Sequence, residues 1–178
     1  MITMKIKPEV PGSLETSEIL TYIIEEQKNF SYNKRPAFII CPGGGYEYCS
    51  VREAEPLALQ ALAMGYHAFV LNYSCAPARY PVALTELGFL VKLLYEKKDE
   101  WNIDTDRIFV MGSSAGGHLA ASYACLWNTD VLKETLSCGK DKLKIAGILL
   151  NYPVITSGEF AHHGSFKALL GERYEELK

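Results

Sequence analysis

Four short runs of apolar residues, separated by segments with helical spacing, constrain the fold of this chain more than any other feature. The runs are Ala37–Cys41, Ala68–Leu71, Arg107–Met111 and Ile145–Leu150. Continuous apolar runs of this length are typical of strands that are covered on both faces. The helical patterns between them cover residues 53–64, 81–94 and 114–126. This alternation predicts an α/β fold with a doubly wound, mostly parallel sheet in a three-layer α/β/α arrangement.

The two ends of the chain depart from this alternation. Residues Ile19–Ile24 are rich in β-branched and aromatic side chains and predict a strand, for which Met4–Lys7 is a candidate hairpin partner. The tail from Thr156 to Lys178 contains a His-rich loop and then a helical pattern, with no strand pattern after it.

Composition and charge exclude several classes of protein. A chain of 178 residues with 48% hydrophobic and 22% charged residues suits one folded domain and excludes intrinsic disorder. The net charge of −3 includes no basic run that would neutralise a nucleic-acid backbone. No apolar stretch approaches the roughly 20 residues that span a bilayer, and no secretory signal pattern is present, so we expect a soluble cytoplasmic protein. Five cysteines without C-x-x-C spacing predict reduced thiols, with neither a disulfide framework nor a zinc site.

The strongest chemical motif is Gly112-Ser113-Ser114-Ala115-Gly116, which fits the pattern G-x-S-x-G. It lies between a predicted buried strand and a predicted helix, where a sharp turn presents the central hydroxyl above the sheet edge. Glycine is needed at both ends because neighbouring chain comes too close for a side chain. The pattern predicts Ser114 as a nucleophile and the N–H of Ala115, at a helix N-terminus, as a donor to an oxyanion. The alternative is a Gly- and Ser-rich helix start without chemistry.

A glycine loop, Pro42-Gly43-Gly44-Gly45-Tyr46, follows the first buried run at the same edge of the predicted sheet. Three glycines permit N–H groups to point inward and to supply the second part of an oxyanion hole. A turn around a phosphate is the alternative, but neither G-x-x-x-x-G-K-S/T nor G-x-G-x-x-G is present. Tyr46 and Tyr48 are candidates to line a substrate pocket or to stack on a sugar ring.

Together these motifs resemble the α/β-hydrolases, in the esterase and lipase group similar to hormone-sensitive lipase and to bacterial acetyl-xylan-esterase-like sugar-ester hydrolases. The matching segments are Pro42–Tyr46, Asn72-Tyr73, Asp104–Ile108, Gly112–Ala120 and Asn151–Val154. The resemblance implies that Ser114 is the nucleophile and that the N–H groups of Gly44, Gly45 and Ala115 form the oxyanion hole. Pro42 stands where the lipase-like version of the loop has His, which favours the acetyl-esterase-like branch.

The resemblance also implies a chain order of Ser, then Asp or Glu, then His, with the last two on loops after two further strands. No residues after Ile145–Leu150 show the pattern of a further buried strand. We therefore expect residues 1–155 to form the N-terminal part of a single hydrolase core, and residues 156–178 to begin a segment that folds over the active site. We expect the isolated chain to self-associate, because its sheet would have an unpaired edge.

Four histidines are the candidates for the base that a serine nucleophile needs. His67 precedes a buried strand and is interpreted as a packing residue, and His118 lies one helical turn after the nucleophile, where it would pack sideways. His162 and His163 are weak candidates, because the only carboxylate near them in sequence is Glu159. The favoured prediction is a catalytic Asp and His on a continuation of the chain.

The sequence therefore predicts a serine carboxylesterase that cleaves small carboxylic esters, with acetyl esters of sugars or xylan as the first substrate class. No metal and no organic cofactor is expected. The expected partner is a small-molecule ester, with no nucleic acid and no membrane, and a homo-oligomer is left open. Two alternatives remain: a serine peptidase of the same fold, and a protein that keeps the motif but binds a ligand or partner without turnover.

Overall fold

The sheet of the computed structural model positions the two motifs. The structure describes residues 1–26 and 33–177. The strands in these residues are Lys5–Ile6 (β1), Glu18–Tyr22 (β2), Arg35–Cys41 (β3), His67–Asn72 (β4), Ile103–Ser113 (β5) and Gly147–Asn151 (β6). They form one sheet in the order β1-β2-β4-β3-β5-β6, in which β3 to β6 run parallel and β2 is antiparallel to both neighbours. The predicted mostly parallel sheet and the predicted N-terminal hairpin are confirmed.

Helices cover both faces of this sheet. They are Glu55–Ala63 (α1), Val82–Glu96 (α2), Ala115–Leu126 (α3), Asp130–Leu136 (α4), His163–Leu170 (α5) and Tyr174–Leu177 (α6). Neighbouring residues Ile39 and Ile40 of β3 belong to different apolar clusters, because successive strand side chains point to opposite faces. The Ile40 cluster includes Ala58 and Ala61 of α1, whereas the Ile39 cluster includes side chains of α2 and α3. The three-layer arrangement predicted from the sequence follows from this division.

Helix α2 shows how the apolar pattern stabilises the layers. Its Leu87, Leu90, Val91 and Leu94 recur at three- and four-residue spacing and are fully buried. Burying a side chain of this kind contributes about 1.5–3 kcal/mol relative to leaving it exposed. This face therefore fixes the helix against β5, the strand that leads into the serine motif.

Helix α4 lies in a stretch for which the sequence predicts only a polar link. Its buried Leu132 and Leu136 pack against Gly88 of α2, where a Cβ would lie 2.7 Å from Leu136 Cδ1. A helix of seven residues with two core contacts is too short to give a recognisable helical period.

The edge strand β6 is less covered than the strands beside it. Leu149 and Leu150 of β6 are 45% and 37% exposed, whereas residues 67–71 of β4 are all buried. In residues 1–26 and 33–177, β6 pairs only with β5. This edge therefore presents apolar side chains and unpaired backbone groups together.

Two further expectations concern location and thiols. None of the described helices is long and apolar enough to span a bilayer, and the predicted cytoplasmic location stays a prediction. All five cysteines are free thiols; Cys41 and Cys75 are buried, whereas Cys125 is exposed.

Candidate active site

Ser114 occupies a sharp turn between β5 and α3. Its backbone has φ 51° and ψ −116°, a strained combination for a residue with a side chain. A Cβ at Gly112 would lie 2.0 Å from the Gly116 carbonyl oxygen, and a Cβ at Gly116 would lie 2.0 Å from the Cys41 carbonyl oxygen. Both positions therefore require glycine, for the steric reason that the motif implies.

Backbone hydrogen bonds to the end of β6 hold this turn. The Ser114 N–H donates to the Asn151 carbonyl at 3.0 Å, and the Val154 N–H donates to the Ser114 carbonyl at 3.1 Å. Between these two contacts, Pro153 packs so closely on Gly117 that a Cβ there would lie 2.8 Å from Pro153 Cβ. Residues 151–154 thus fix the Ser114 backbone.

The glycine loop lies directly beside the serine turn. Gly44 and Gly45 have φ +135° and +67°, conformations that favour glycine. A Cβ at Gly44 would also lie 2.0 Å from the Tyr48 carbonyl oxygen. A Cβ at Gly43 would lie 3.1 Å from Ser114 Cβ, so the two turns are in contact.

Three backbone donors beside Ser114 have no partner. In the part of the chain that the structure describes, the N–H groups of Gly44, Gly45 and Ala115 donate to no protein acceptor. Ala115 is the first residue of α3, so its N–H belongs to the positive end of that helix. This arrangement can stabilise negative charge that develops on an oxygen near Ser114.

A cavity of about 400 Å³ is lined by Ser114 and by two of the three donor residues, Gly44 and Gly45. Its lining consists of Gly44, Gly45, Glu47, Tyr48, Ser50, Glu53, Ser114, Tyr152, His162 and Gly164. The lining includes two carboxylates and, among the described residues, no Lys or Arg. Tyr48, one of the two tyrosines expected at the pocket, lies here. A larger cavity of about 580 Å³ lies beside β1, β2 and α1, away from both motifs.

Tyr46 does not line this cavity, contrary to the expectation from its place in the loop. It is only 3% exposed, and its hydroxyl lies 2.8 Å from His118 Nδ1. Burial lowers the pKa of His118 and raises the pKa of Tyr46, so the tyrosine hydroxyl donates to a neutral imidazole. The hydrogen bond turns the Tyr46 ring into the core and anchors the end of the glycine loop.

The four histidines do not form a catalytic pair with Ser114. Each Nδ1 faces another group: His67 accepts from the Ile24 N–H, His118 lies beside Tyr46, His162 accepts from the Ser165 N–H, and His163 lies beside the Tyr174 hydroxyl. Of the four histidines, only His162 lines the Ser114 cavity, and its Nδ1 contacts the hydroxyl and the N–H of Ser165 and not a carboxylate. A base oriented by an acid is therefore not assembled in residues 1–26 and 33–177.

Two cavity residues, Glu53 and Tyr152, were not identified from the sequence. The Glu53 carboxylate accepts hydrogen bonds from the Gly43 N–H at 2.6 Å and from the Tyr152 hydroxyl. The sequence placed Glu53 at the start of a helix, but it ends a 3₁₀ turn, Val51–Glu53, before α1. The available signal in the sequence was a carboxylate a few residues after the glycine loop. That signal is weak, because no fixed spacing between a glycine loop and a carboxylate defines such a contact.

The deciding comparison is with a family model. Residues 38–173 match the model described as the alpha/beta hydrolase fold. The chain belongs to the α/β-hydrolase fold family. The match covers both motifs, the last four residues of β3, all of β4 to β6 and α5, so it includes the turn that holds Ser114 and the glycine loop beside it.

Individual relatives of this α/β-hydrolase chain point the same way. Endo-1,4-beta-xylanase B of Butyrivibrio fibrisolvens is 32% identical over 142 residues, which are 78% of this chain and 22% of that protein. An acetylxylan esterase of Xylanibacter ruminicola is 29% identical over 130 residues, or 71% of this chain and 24% of the relative. A solved structure, the acetyl ester-xyloside bifunctional hydrolase from Caldicellulosiruptor lactoaceticus, has a TM-score of 0.74 and 36% identity.

The chain is shorter than all three of these proteins. It spans less than a quarter of the length of the two curated relatives. The match to the solved structure covers 88% of this chain and 56% of that one.

Proposed function

We propose that this chain carries the nucleophile and oxyanion hole of a serine carboxylesterase that acts on small carboxylic esters. One observation carries the proposal: a strained serine turn lies against a glycine loop, with unpaired backbone N–H groups at Gly44 and Gly45, which line one cavity with Ser114, and at Ala115, the residue after the serine. Membership of the α/β-hydrolase family and similarity to proteins named as ester hydrolases support it.

In the proposed reaction, the Ser114 hydroxyl attacks the ester carbonyl and passes its proton to a base. The N–H groups of Gly44, Gly45 and Ala115 donate to the tetrahedral oxyanion while the alcohol leaves with the proton. Water then attacks the acyl-enzyme by the same route and releases the acid. Removal of one such donor typically lowers kcat by about 10²- to 10³-fold.

The cavity favours a neutral ester that carries hydroxyl groups. The carboxylates of Glu47 and Glu53 repel an anionic ester, and Glu47 can accept hydrogen bonds from hydroxyls. Tyr48 is 62% exposed and offers its ring to a sugar face. Acetyl esters of sugars are therefore the first substrate class to test, which agrees with the similarity to an acetylxylan esterase and to an acetyl ester-xyloside bifunctional hydrolase.

Residues 1–26 and 33–177 hold no histidine that bonds to both Ser114 and a carboxylate, so the proposed base is not identified within them. The candidate that lines the cavity is His162, whose Nδ1 is engaged with Ser165 and not with a carboxylate. The expectation that an Asp and a His lie on a continuation of the chain, and that residues 156–178 begin a cover over the site, stays a prediction.

Release of p-nitrophenol from p-nitrophenyl acetate tests the proposal, with Ser114→Ala as the critical variant and Ser113→Ala as its neighbour control. Turnover that requires Ser114 but not Ser113 supports a serine esterase. A single burst of p-nitrophenol that requires Ser114 supports acylation of Ser114 and indicates that turnover stops because no base activates water for deacylation. Equal rates for the wild-type chain and Ser114→Ala would exclude the proposal and favour a protein that binds a ligand without turnover.

A further inference from the structure

The Glu53 carboxylate lies where three strand ends meet. Its Oε2 accepts from the Gly43 N–H after β3, and its Oε1 accepts from the Tyr152 hydroxyl after β6. Ser114, after β5, lies between these strands. A Cβ at Gly43 would lie 2.6 Å from Glu53 Oε2 and 3.1 Å from Ser114 Cβ, so the carboxylate and the serine contact the same glycine.

The bond to Gly43 restricts the glycine loop at the residue before its two unpaired donors. Gly44, Gly45 and Tyr46 have successive positive φ values, and a chain in this region has several peptide orientations available. The Ser50 N–H donates to the Gly43 carbonyl at 2.9 Å, and Glu53 holds the Gly43 N–H. Both polar backbone groups of Gly43 are therefore engaged. Because the peptide between Gly43 and Gly44 is planar and trans, holding the Gly43 carbonyl on Ser50 also fixes the Gly44 N–H in the opposite direction.

The second oxygen of Glu53 connects the glycine loop to the segment that holds the serine. Tyr152 lies between Asn151, which accepts from the Ser114 N–H, and Val154, which donates to the Ser114 carbonyl. Its hydrogen bond to Glu53 raises the pKa of the Tyr152 phenol, so the hydroxyl remains a donor at neutral pH. A single carboxylate therefore links the donors of the oxyanion hole to the backbone of the nucleophile.

We propose that Glu53 is a positioning residue for ester hydrolysis: it sets the distance between Ser114 and the N–H groups of Gly44 and Gly45 by holding Gly43. This inference rests on the proposed function. Glu53 acts through Gly43 and not through the substrate, so its removal lowers kcat and leaves KM nearly unchanged. Misplacement of a donor by about 1 Å can cost about 10²-fold in rate, which sets the expected scale.

Kinetics of three variants on p-nitrophenyl acetate test this role. Glu53→Ala lowers kcat by about 10²-fold, and Glu53→Gln recovers most of it because the amide oxygen still accepts from the Gly43 N–H. Glu55→Ala is the control, because that nearby carboxylate bonds to Tyr22, outside the Ser114 cavity. An unchanged kcat for Glu53→Ala would overturn the proposal. If KM rose at the same time, the result would mean that Glu53 contacts the substrate.

Amide NMR separates this inference from the esterase proposal. In Glu53→Ala the amide resonances of Gly43, Gly44 and Gly45 shift, whereas in Glu55→Ala they stay in place. That result supports the positioning role even if the wild-type chain shows no turnover that depends on Ser114. Unshifted glycine resonances in Glu53→Ala contradict the role even if the wild-type chain is an active esterase.

Discussion

The two sides of Ser114 differ in how firmly the protein holds them. On one side, three side chains from outside the loop hold the glycine loop. The Tyr73 hydroxyl donates to the Pro42 carbonyl at 2.7 Å, and the Glu53 carboxylate accepts from the Gly43 N–H at 2.6 Å. The imidazole of His118 accepts from the Tyr46 hydroxyl at 2.8 Å. On the β6 side, residues 151–154 hold the Ser114 backbone, but the chain that follows them, residues 155–164, is largely exposed, with Phe160 90% and Ile155 60% exposed. One side is held from several directions, whereas the other presents apolar surface.

This difference divides the chemistry of the site. Stabilisation of an oxyanion needs rigid donors at fixed positions, and the glycine-loop side provides them. Proton transfer needs a base held by an acid, and among the described residues of the β6 side His162 is the one histidine that lines the cavity, with no carboxylate bonded to it. We therefore expect substitutions on the glycine-loop side to have large effects and matched substitutions on the β6 side to have small ones.

The largest effect is expected for Gly116→Ala. The added Cβ would lie 2.0 Å from the Cys41 carbonyl oxygen, and overpacking against backbone lowers the free energy of unfolding by about 3 kcal/mol. The matched change on the β6 side is Gly147→Ala, whose Cβ meets Phe109 at an ordinary 3.6 Å, and it changes stability by less than about 0.5 kcal/mol. Urea unfolding of both variants measures the contrast, and equal losses would remove it.

Gly44→Ala tests the same contrast in catalysis. Its Cβ would lie 2.0 Å from the Tyr48 carbonyl oxygen, so the loop must move, and kcat for p-nitrophenyl acetate falls by about 10²-fold. Gly164→Ala, in a wall of the cavity formed by the segment after β6, meets His162 at 3.6 Å and changes kcat by less than about threefold. Similar losses in the two variants would show that both walls are equally constrained.

His162→Gln tests most severely whether the β6 side contributes little to catalysis. Because Ser165 donates to the His162 Nδ1 and no carboxylate of residues 1–26 or 33–177 bonds to the ring, kcat changes by less than about threefold. A fall of about 10³-fold or more would identify His162 as the base and would show that the exposed side is catalytically complete.

The parts of the site that the sequence predicts are those that depend on local sterics. The turn at Ser114 and the glycine loop require glycine wherever backbone passes within van der Waals distance, so the pattern is visible in the residues themselves. The direction of Tyr46 depends on His118, which is 72 residues away, and the Glu53–Tyr152 bond joins residues that are 99 apart. Such pairings arise from the packing of whole strands and leave no local pattern.

The smallest expected effect is a dependence of stability on pH that originates in buried histidines. Burial lowers the pKa of His67 and His118 from the ordinary value of 6.5, so the unfolded chain binds protons that the folded chain does not. Their contribution is fully present above about pH 6.5 and is lost as the pH falls below that value. Urea unfolding from about pH 7.5 down to about pH 5, a range that includes the ordinary histidine pKa, shows a free energy of unfolding that decreases as the pH falls. In His118→Gln this decrease with pH is smaller. A flat profile for the wild-type chain would contradict this account.

The most direct test of the central claim is a crystal structure of the protein after reaction with diethyl p-nitrophenyl phosphate, whose product mimics a tetrahedral oxyanion. The account predicts phosphorus bonded to Ser114 Oγ, with one phosphoryl oxygen about 2.7–3.1 Å from the backbone nitrogens of Gly44, Gly45 and Ala115. A phosphoryl group on another residue, or an oxygen directed away from these three nitrogens, would contradict it.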